Sequence, residues 1–192
     1  MRRLGLLLAA LLVLTGCSAT KDAVVSGNTF QFVAPGGKTE ITYDDPASRG
    51  AIQGLSGPSL RDAGATVGLD SYPGRVVVIN IWGSWCGPCR TEAPDLEFVQ
   101  QRTAPLGAAV LGIDVRDDRQ AATDFVRDRG LTYDSIFDDS GRSLASLGGV
   151  PRNVVPVSIV LDKQHRVAAV YLQPIRVAVL IPLIQKLAAE PA

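Results

Sequence analysis

Two cysteines, Cys86 and Cys89, stand three positions apart in Trp85-Cys86-Gly87-Pro88-Cys89, directly after the apolar run Val76-Val77-Val78-Ile79-Asn80-Ile81-Trp82. That order predicts a buried strand leading into a helix that opens at Cys86. The unpaired N–H groups and positive dipole end of such a helix favour thiolate over thiol. Cysteines so placed in CxxC motifs reach pKa values of roughly 3.5–7. Cys89, one turn further on, is close enough to attack a mixed disulfide formed at Cys86. The chemistry implied is thiol–disulfide exchange. A structural zinc site needs about four ligands, and one CxxC with the single histidine, His165 in a turn, does not supply them. Covalent haem attachment wants a histidine after the second cysteine, and Arg90 stands there. No metal and no cofactor is therefore expected, the redox group being the Cys86–Cys89 pair itself.

Those elements must be positioned by a domain, and the rest of the chain says what kind. Its 192 residues and 46% hydrophobic content suit one folded domain with appendages. Formal charge is zero with no basic tract, which gives no reason to expect a nucleic-acid partner. Three cysteines are too few for a disulfide scaffold.

The first 16 residues read as an export signal rather than as fold: Arg2 and Arg3, then an apolar stretch from Leu4 to Leu14, too short for a spanning helix of about 20 residues. The following Leu14-Thr15-Gly16-Cys17 resembles the lipobox of bacterial lipoproteins. That resemblance implies cleavage before Cys17 and lipidation of its sulfur, the alternatives being an ordinary cleaved signal or an uncleaved anchor. With Cys17 lipidated, Cys86 and Cys89 have only each other within the chain. Without Arg2 and Arg3 the 19 basic residues become 17 against 19 acidic, a net charge of −2. The expected location is the outer face of the cytoplasmic membrane, where disulfides persist. Residues 17–26 form the lipidated tether, of which the nine residues Ser18–Ser26 extend at most about 30 Å.

Period-two alternation in Thr29–Val33 and Thr39–Tyr43, around Pro35-Gly36-Gly37, predicts a β-hairpin. Asp44–Pro58, rich in Gly, Pro and Ser, reads as a loop, which makes residues 27–57 a hairpin-and-loop extension. Beyond it the pattern predicts a strand at Arg75–Ile81 and a helix from Cys86 to about Gln101, bent or interrupted at Pro94. A strand at Ala108–Val115 and a helix over Asp118–Arg129 follow. Strands at Val154–Leu161 and Arg166–Leu172 are joined by a turn at Asp162–His165. The last helix lies within Val177–Ala189, kinked at Pro182 or starting near Leu180. The sum is an α/β fold with a mixed sheet, its cysteines at the carboxyl end of a central strand.

Three stretches resemble the TlpA/ResA type of thioredoxin-fold protein, the membrane-tethered thiol–disulfide proteins of bacteria. They are Leu69–Arg75, Val78–Pro94 with its Trp-Cys-Gly-Pro-Cys, and Val155–Asp162. The resemblance covers about residues 58–190. It implies a thioredoxin-like fold, a mixed central sheet flanked by helices, here with the N-terminal β-hairpin extension. It implies that Cys86 is the exposed nucleophile and Cys89 the resolving thiol. Gly87 and Pro88 would help set the redox poise, and Trp85 would border the partner surface while also shielding the disulfide. Pro156, rather than the nearby Pro151, would be cis and face Cys86, with the Val155 backbone offered to an extended substrate. Glu92, one turn beyond Cys89, would tune the thiols or accept a proton; otherwise it is a solvated helix glutamate. Cytosolic thioredoxin has a buried aspartate where this chain has Asn80, so proton transfer must run differently.

Direction is the open choice. The first reading is a reductant of exported cysteine-containing proteins, apocytochrome c being the candidate, re-reduced by a membrane thiol–disulfide electron donor. The second is an oxidant that gives its disulfide to folding secreted proteins. A third, of another class, is a redox-inactive tethered binding lipoprotein in which Cys86–Cys89 is only structural.

Overall fold

The computed structural model describes residues 29–33 and 36–191; the expected signal, Cys17 and the tether lie outside the described residues. Two wholly buried strands form the centre: β4 (Val76–Trp82) and β5 (Ala108–Val115). They pair in parallel, with Asn80 beside Gly112 and Trp82 beside Asp114. Strands covered on both faces have no reason to alternate in polarity, which explains their continuous apolar runs.

Helix α1 (Gly87–Thr103) connects β4 to β5, and α2 (Arg119–Asp128) connects β5 to the parallel strand β6 (Asp134–Asp138). On the other side β7 (Val157–Leu161) runs antiparallel to β4, β8 (Val167–Tyr171) antiparallel to β7, and α3 (Val177–Ala189) ends the fold. The mixed sheet has six strands in the order β1-β8-β7-β4-β5-β6, where β1 is Glu40–Thr42. This is the thioredoxin-like α/β fold that the resemblance implies.

Alternate residues of the sheet feed two cores. Val76, Val78, Trp82 and Val110 pack with Leu96 and Val99 of α1, Phe125 of α2, and Leu180 and Ile184 of α3. Val77, Ile79, Ile81, Leu111 and Ile113 face the other way. No residue of α1, α2 or α3 joins that second core; Phe30, Tyr43, Ile52, Leu55, Val67 and Leu69 cover it, with Leu144 and Leu147 of a short 3-10 helix. Each such side chain taken fully from water contributes roughly 1.5–3 kcal/mol, so the N-terminal extension completes the core.

The extension is not the expected hairpin. Glu40–Thr42 pairs antiparallel with β8, Glu40 beside Tyr171. Thr29 instead bridges in parallel to Ala51, which bridges to Arg166, and the Phe32 amide donates to Gly148 O at 2.6 Å. Alternation identified two extended segments, and each pairs elsewhere in the chain rather than with the other. The expected loop ends in a strand, β2 (Ser56–Pro58), paired with β3 (Thr66–Gly68) in a small second sheet.

A buried and a partly buried ion pair lock the extension down. The Arg49 guanidinium reaches Asp162 at 3.1 Å and Glu190 at 2.6 Å, joining the extension to the β7–β8 turn and the end of α3. Both prolines expected to disturb helices lie inside them, Pro94 in α1 and Pro182 in α3, which starts at Val177. Pro94 offers no N–H to the carbonyl of Arg90; the Arg129 guanidinium donates to that oxygen at 2.7 Å instead.

Candidate active site

β4 ends at Trp82, and Gly83-Ser84-Trp85 turns the chain into α1, with Cys86 as its N-cap. Cys86 and Cys89 form a disulfide with Cα atoms 5.3 Å apart, and the Cys89 amide donates to Cys86 Sγ at 3.2 Å. The sulfur thus takes the acceptor role that a serine or aspartate fills at other helix starts. Cys86, expected to be the exposed member, is as covered as Cys89, each 4% accessible. Bonded together, both cysteines sit in the core cluster with Trp82, Ala93 and Ile175, whereas Gly87 and Pro88 are exposed.

Trp85 is 51% accessible beside them. The turn after β5, Arg116-Asp117, to which the sequence analysis assigned no role, holds it. Its indole Nε1 donates to Val115 O at 3.2 Å, and the Arg116 guanidinium lies over the ring 5.1 Å from its centre. Arg116 has φ of 54°, an uncommon left-handed conformation for a residue with a side chain. Asp117 follows and accepts from the Ser84 backbone N–H and from the Ser84 hydroxyl. Arg90 Nη1 completes the clamp by donating to Ser84 O at 3.2 Å. The sequence signal was available in Asp117-Asp118: two acids where one N-cap suffices.

Val155–Pro156 is the cis peptide bond among the described residues, and Pro151 is not cis. In the β4–β7 pairing Ile81 lies beside Val157, so Val155 and Pro156 enter β7 at the end of β4 that leads into the cysteine motif. The backbone N–H and C=O of Val155 make no hydrogen bond within the described chain, and its side chain packs against both cores.

Under the cysteines lies a buried polar group. Glu92, on α1, is 4% accessible, not the solvated glutamate that was the alternative. Asn80 Nδ2 donates to its Oε1 at 3.0 Å and to Ser158 Oγ at 3.1 Å, and Ser158 Oγ sits 3.4 Å from the same Oε1. Burial pushes the Glu92 pKa up to about 7, although the backbone N–H of Ile175, Ser158 and Asn80 pull it partly back. Ser158 and Ile175, which the sequence did not single out, belong to this group.

Asp114 is a second buried acid at the same end of the sheet. Fully inaccessible, it has its pKa pushed up to about 9, first by burial and then by the neighbouring Asp117. His165 sits in the β7–β8 turn, at the opposite end of the sheet from the cysteines, with Nε2 3.0 Å from Tyr72 O. No helix among the described residues is long and apolar enough to cross a membrane.

A redox-bonded CxxC capping a helix, beside a cis-proline and at the carboxyl end of a central strand, defines the class: thiol–disulfide oxidoreductases of the thioredoxin fold. Within that class the chain belongs to the AhpC/TSA family, which it matches over residues 52–170. It is 30% identical over 138 residues to the thiol:disulfide interchange protein DsbE of Pseudomonas aeruginosa, covering 70% of this chain and 73% of that one. Its fold superposes on a secreted thiol-disulfide isomerase from Corynebacterium glutamicum with TM-score 0.82 and 45% identity, covering 85% of this chain and 100% of that one. A DsbF homologue from Corynebacterium diphtheriae superposes with TM-score 0.79 and 47% identity, covering 83% of this chain and 99% of the other.

Proposed function

We propose that this oxidoreductase works outside the cytoplasmic membrane, lipid-anchored through Cys17, as a reductant of exported proteins. Apocytochrome c is the candidate substrate, because haem attachment requires both thiols of its CxxCH motif to be reduced. The observation that carries the reading is the Cys86–Cys89 pair at the start of α1, with Glu92 buried below it and the Val155 backbone unpaired beside it.

In the reduced protein the Cys86 thiolate, held by the α1 N-terminus, attacks one sulfur of a substrate disulfide and expels the other as a thiolate. The extended substrate lies along Val155, whose N–H and C=O pair with its backbone, and Trp85 and Pro156 border it. Cys89 gives up its proton and attacks Cys86, which releases the second substrate thiolate and leaves the Cys86–Cys89 disulfide. Two electrons have passed to the substrate, and a membrane dithiol donor returns two to the protein. Glu92, three residues beyond Cys89 on α1, takes the Cys89 proton in this reading: the Asn80 amide cannot ionise, whereas a carboxyl near pKa 7 exchanges protons at neutral pH.

The opposite direction, oxidation of folding proteins, is the second reading, since the Cys86–Cys89 disulfide is itself the species an oxidant would donate. The reduction potential in glutathione and dithiothreitol buffers decides. A value around −250 mV or lower supports the reductant, and one near −120 to −180 mV the oxidant. A pair that does not cycle leaves the redox-inactive binding lipoprotein. Replacing Cys89 by Ser traps mixed disulfides at Cys86 if exchange occurs; their absence from membranes would refute it.

A further inference from the structure

Three arginines lie at the end of the sheet that carries the disulfide. The register places them: β4 and β8 end there and β7 begins there, with Ile81 beside Val157 and Ser158 beside Tyr171. Arg152 lies in the segment that leads into cis-Pro156, and Arg176 in the segment that leaves β8, directly after Ile175, which packs in the cluster with Cys86. Arg116, from the end of β5, lies over Trp85. All three are exposed and none forms an ion pair among the described residues.

The acids at this end are otherwise engaged. Residues 148–156 and 172–177, which border the cysteines on the Pro156 side, contain no carboxylate at all. Asp117 is turned into Ser84, and Asp118 accepts from the Gln120 and Ala121 amides of α2. Glu92 is buried. Asp139 follows β6, two strands from β4, and Glu40 lies in β1, three strands away. A chain with formal net charge zero therefore concentrates positive charge around its reactive sulfurs.

We propose that this rim, chiefly Arg152 and Arg176, selects substrates carrying acidic residues beside the reacting cysteine. The inference rests on the exchange reading above and names its substrate class. Exposed ion pairs each alter binding by about 1.5- to 5-fold, and opposed charges act mainly on the rate of encounter, which salt screens. An acidic segment on each side of the cysteine would therefore gain about tenfold at low ionic strength.

The test uses the reduced full chain in single-turnover exchange with three synthetic peptides. Each carries one intramolecular disulfide, and they differ only in having Glu, Ser or Lys on both sides of the attacked cysteine. The expected order of second-order rate constants is Glu, then Ser, then Lys, with about tenfold between first and last at low salt and convergence at high salt. Arg152→Gln with Arg176→Gln should bring the Glu and Lys peptides to within about twofold. Equal rates for the three peptides, or a faster Lys peptide, would overturn the charge preference and leave exchange standing. No reaction with any peptide, the neutral one included, would overturn the exchange reading and the inference with it.

Discussion

The Asp117 carboxylate holds Ser84 twice, one oxygen receiving the serine's backbone N–H and the other its hydroxyl at 2.9 Å. Ser84 is two residues before Cys86, and this pairing ties the motif loop to the end of a neighbouring strand. Asp117→Ala removes two charge-assisted bonds from a largely buried serine. It should cost about 1.5–3 kcal/mol of stability, read as a lower urea midpoint of the oxidised protein. It should also slow reduction of a protein disulfide several-fold, because Trp85 loses a fixed support. An unchanged midpoint would mean that Ser84 finds its partners elsewhere.

Glu92 makes stability depend on pH. Its carboxyl titrates near 7 when folded, above its ordinary value of 4.5, so the folded chain binds the proton more tightly than the unfolded one. The stabilisation is fully present below about pH 4.5 and is lost as pH rises through 7, at up to about 1.4 kcal/mol per unit. Glu92→Gln should flatten that part of the profile, measured by denaturation at several pH values. In the reduced protein it should also lower and sharpen the thiolate titration, read from the pH dependence of alkylation. Above pH 7 the wild-type carboxylate opposes a second negative charge nearby. Identical titrations would remove Glu92 from the exchange mechanism.

Asp114 follows the same sign over a wider window. With a folded pKa near 9 against an ordinary 3.8, it is neutral at physiological pH, and its contribution declines from about pH 4 to pH 9. Asp114→Asn should therefore be more stable than the wild type at pH 8, by a margin that grows with pH. A margin that does not change between pH 5 and pH 8 would show that the acid is already ionised when folded.

Arg49→Ala should be the most damaging change outside the core. It leaves Asp162 buried with only Arg166, at 2.8 Å, to balance it, and frees Glu190. Breaking a buried pair costs about 3–5 kcal/mol, and the Arg166 contact moves the expectation to the lower end. Chemical denaturation measures it directly.

The site was legible where chemistry is local in the chain. Cys86, Cys89, Pro156 and Glu92 could be placed from spacing and family likeness, and β4, β5 and α1 from apolar runs and a helix start. What escaped depends on pairing between distant segments. Thr29–Val33 and Glu40–Thr42 alternate as strands should, but alternation does not name the partner, and each found a different one. β6 was missed because Asp134-Ser135-Ile136-Phe137-Asp138 has polar ends and only five residues. The Ser84–Asp117 pairing spans 33 residues, and no local pattern announces a clamp between two loops.

The bridge from Thr29 to Ala51, and from Ala51 to Arg166 at the start of β8, puts the first described residue at the end of the sheet remote from the cysteines. β4 alone spans seven residues, a distance of about 20 Å. If the preceding polypeptide is fastened to a bilayer, the point of attachment and the reactive sulfurs lie at opposite ends of the domain. A donor embedded in the same bilayer then meets the disulfide when the domain turns over on its attachment, while substrates on the aqueous side meet the reactive end directly.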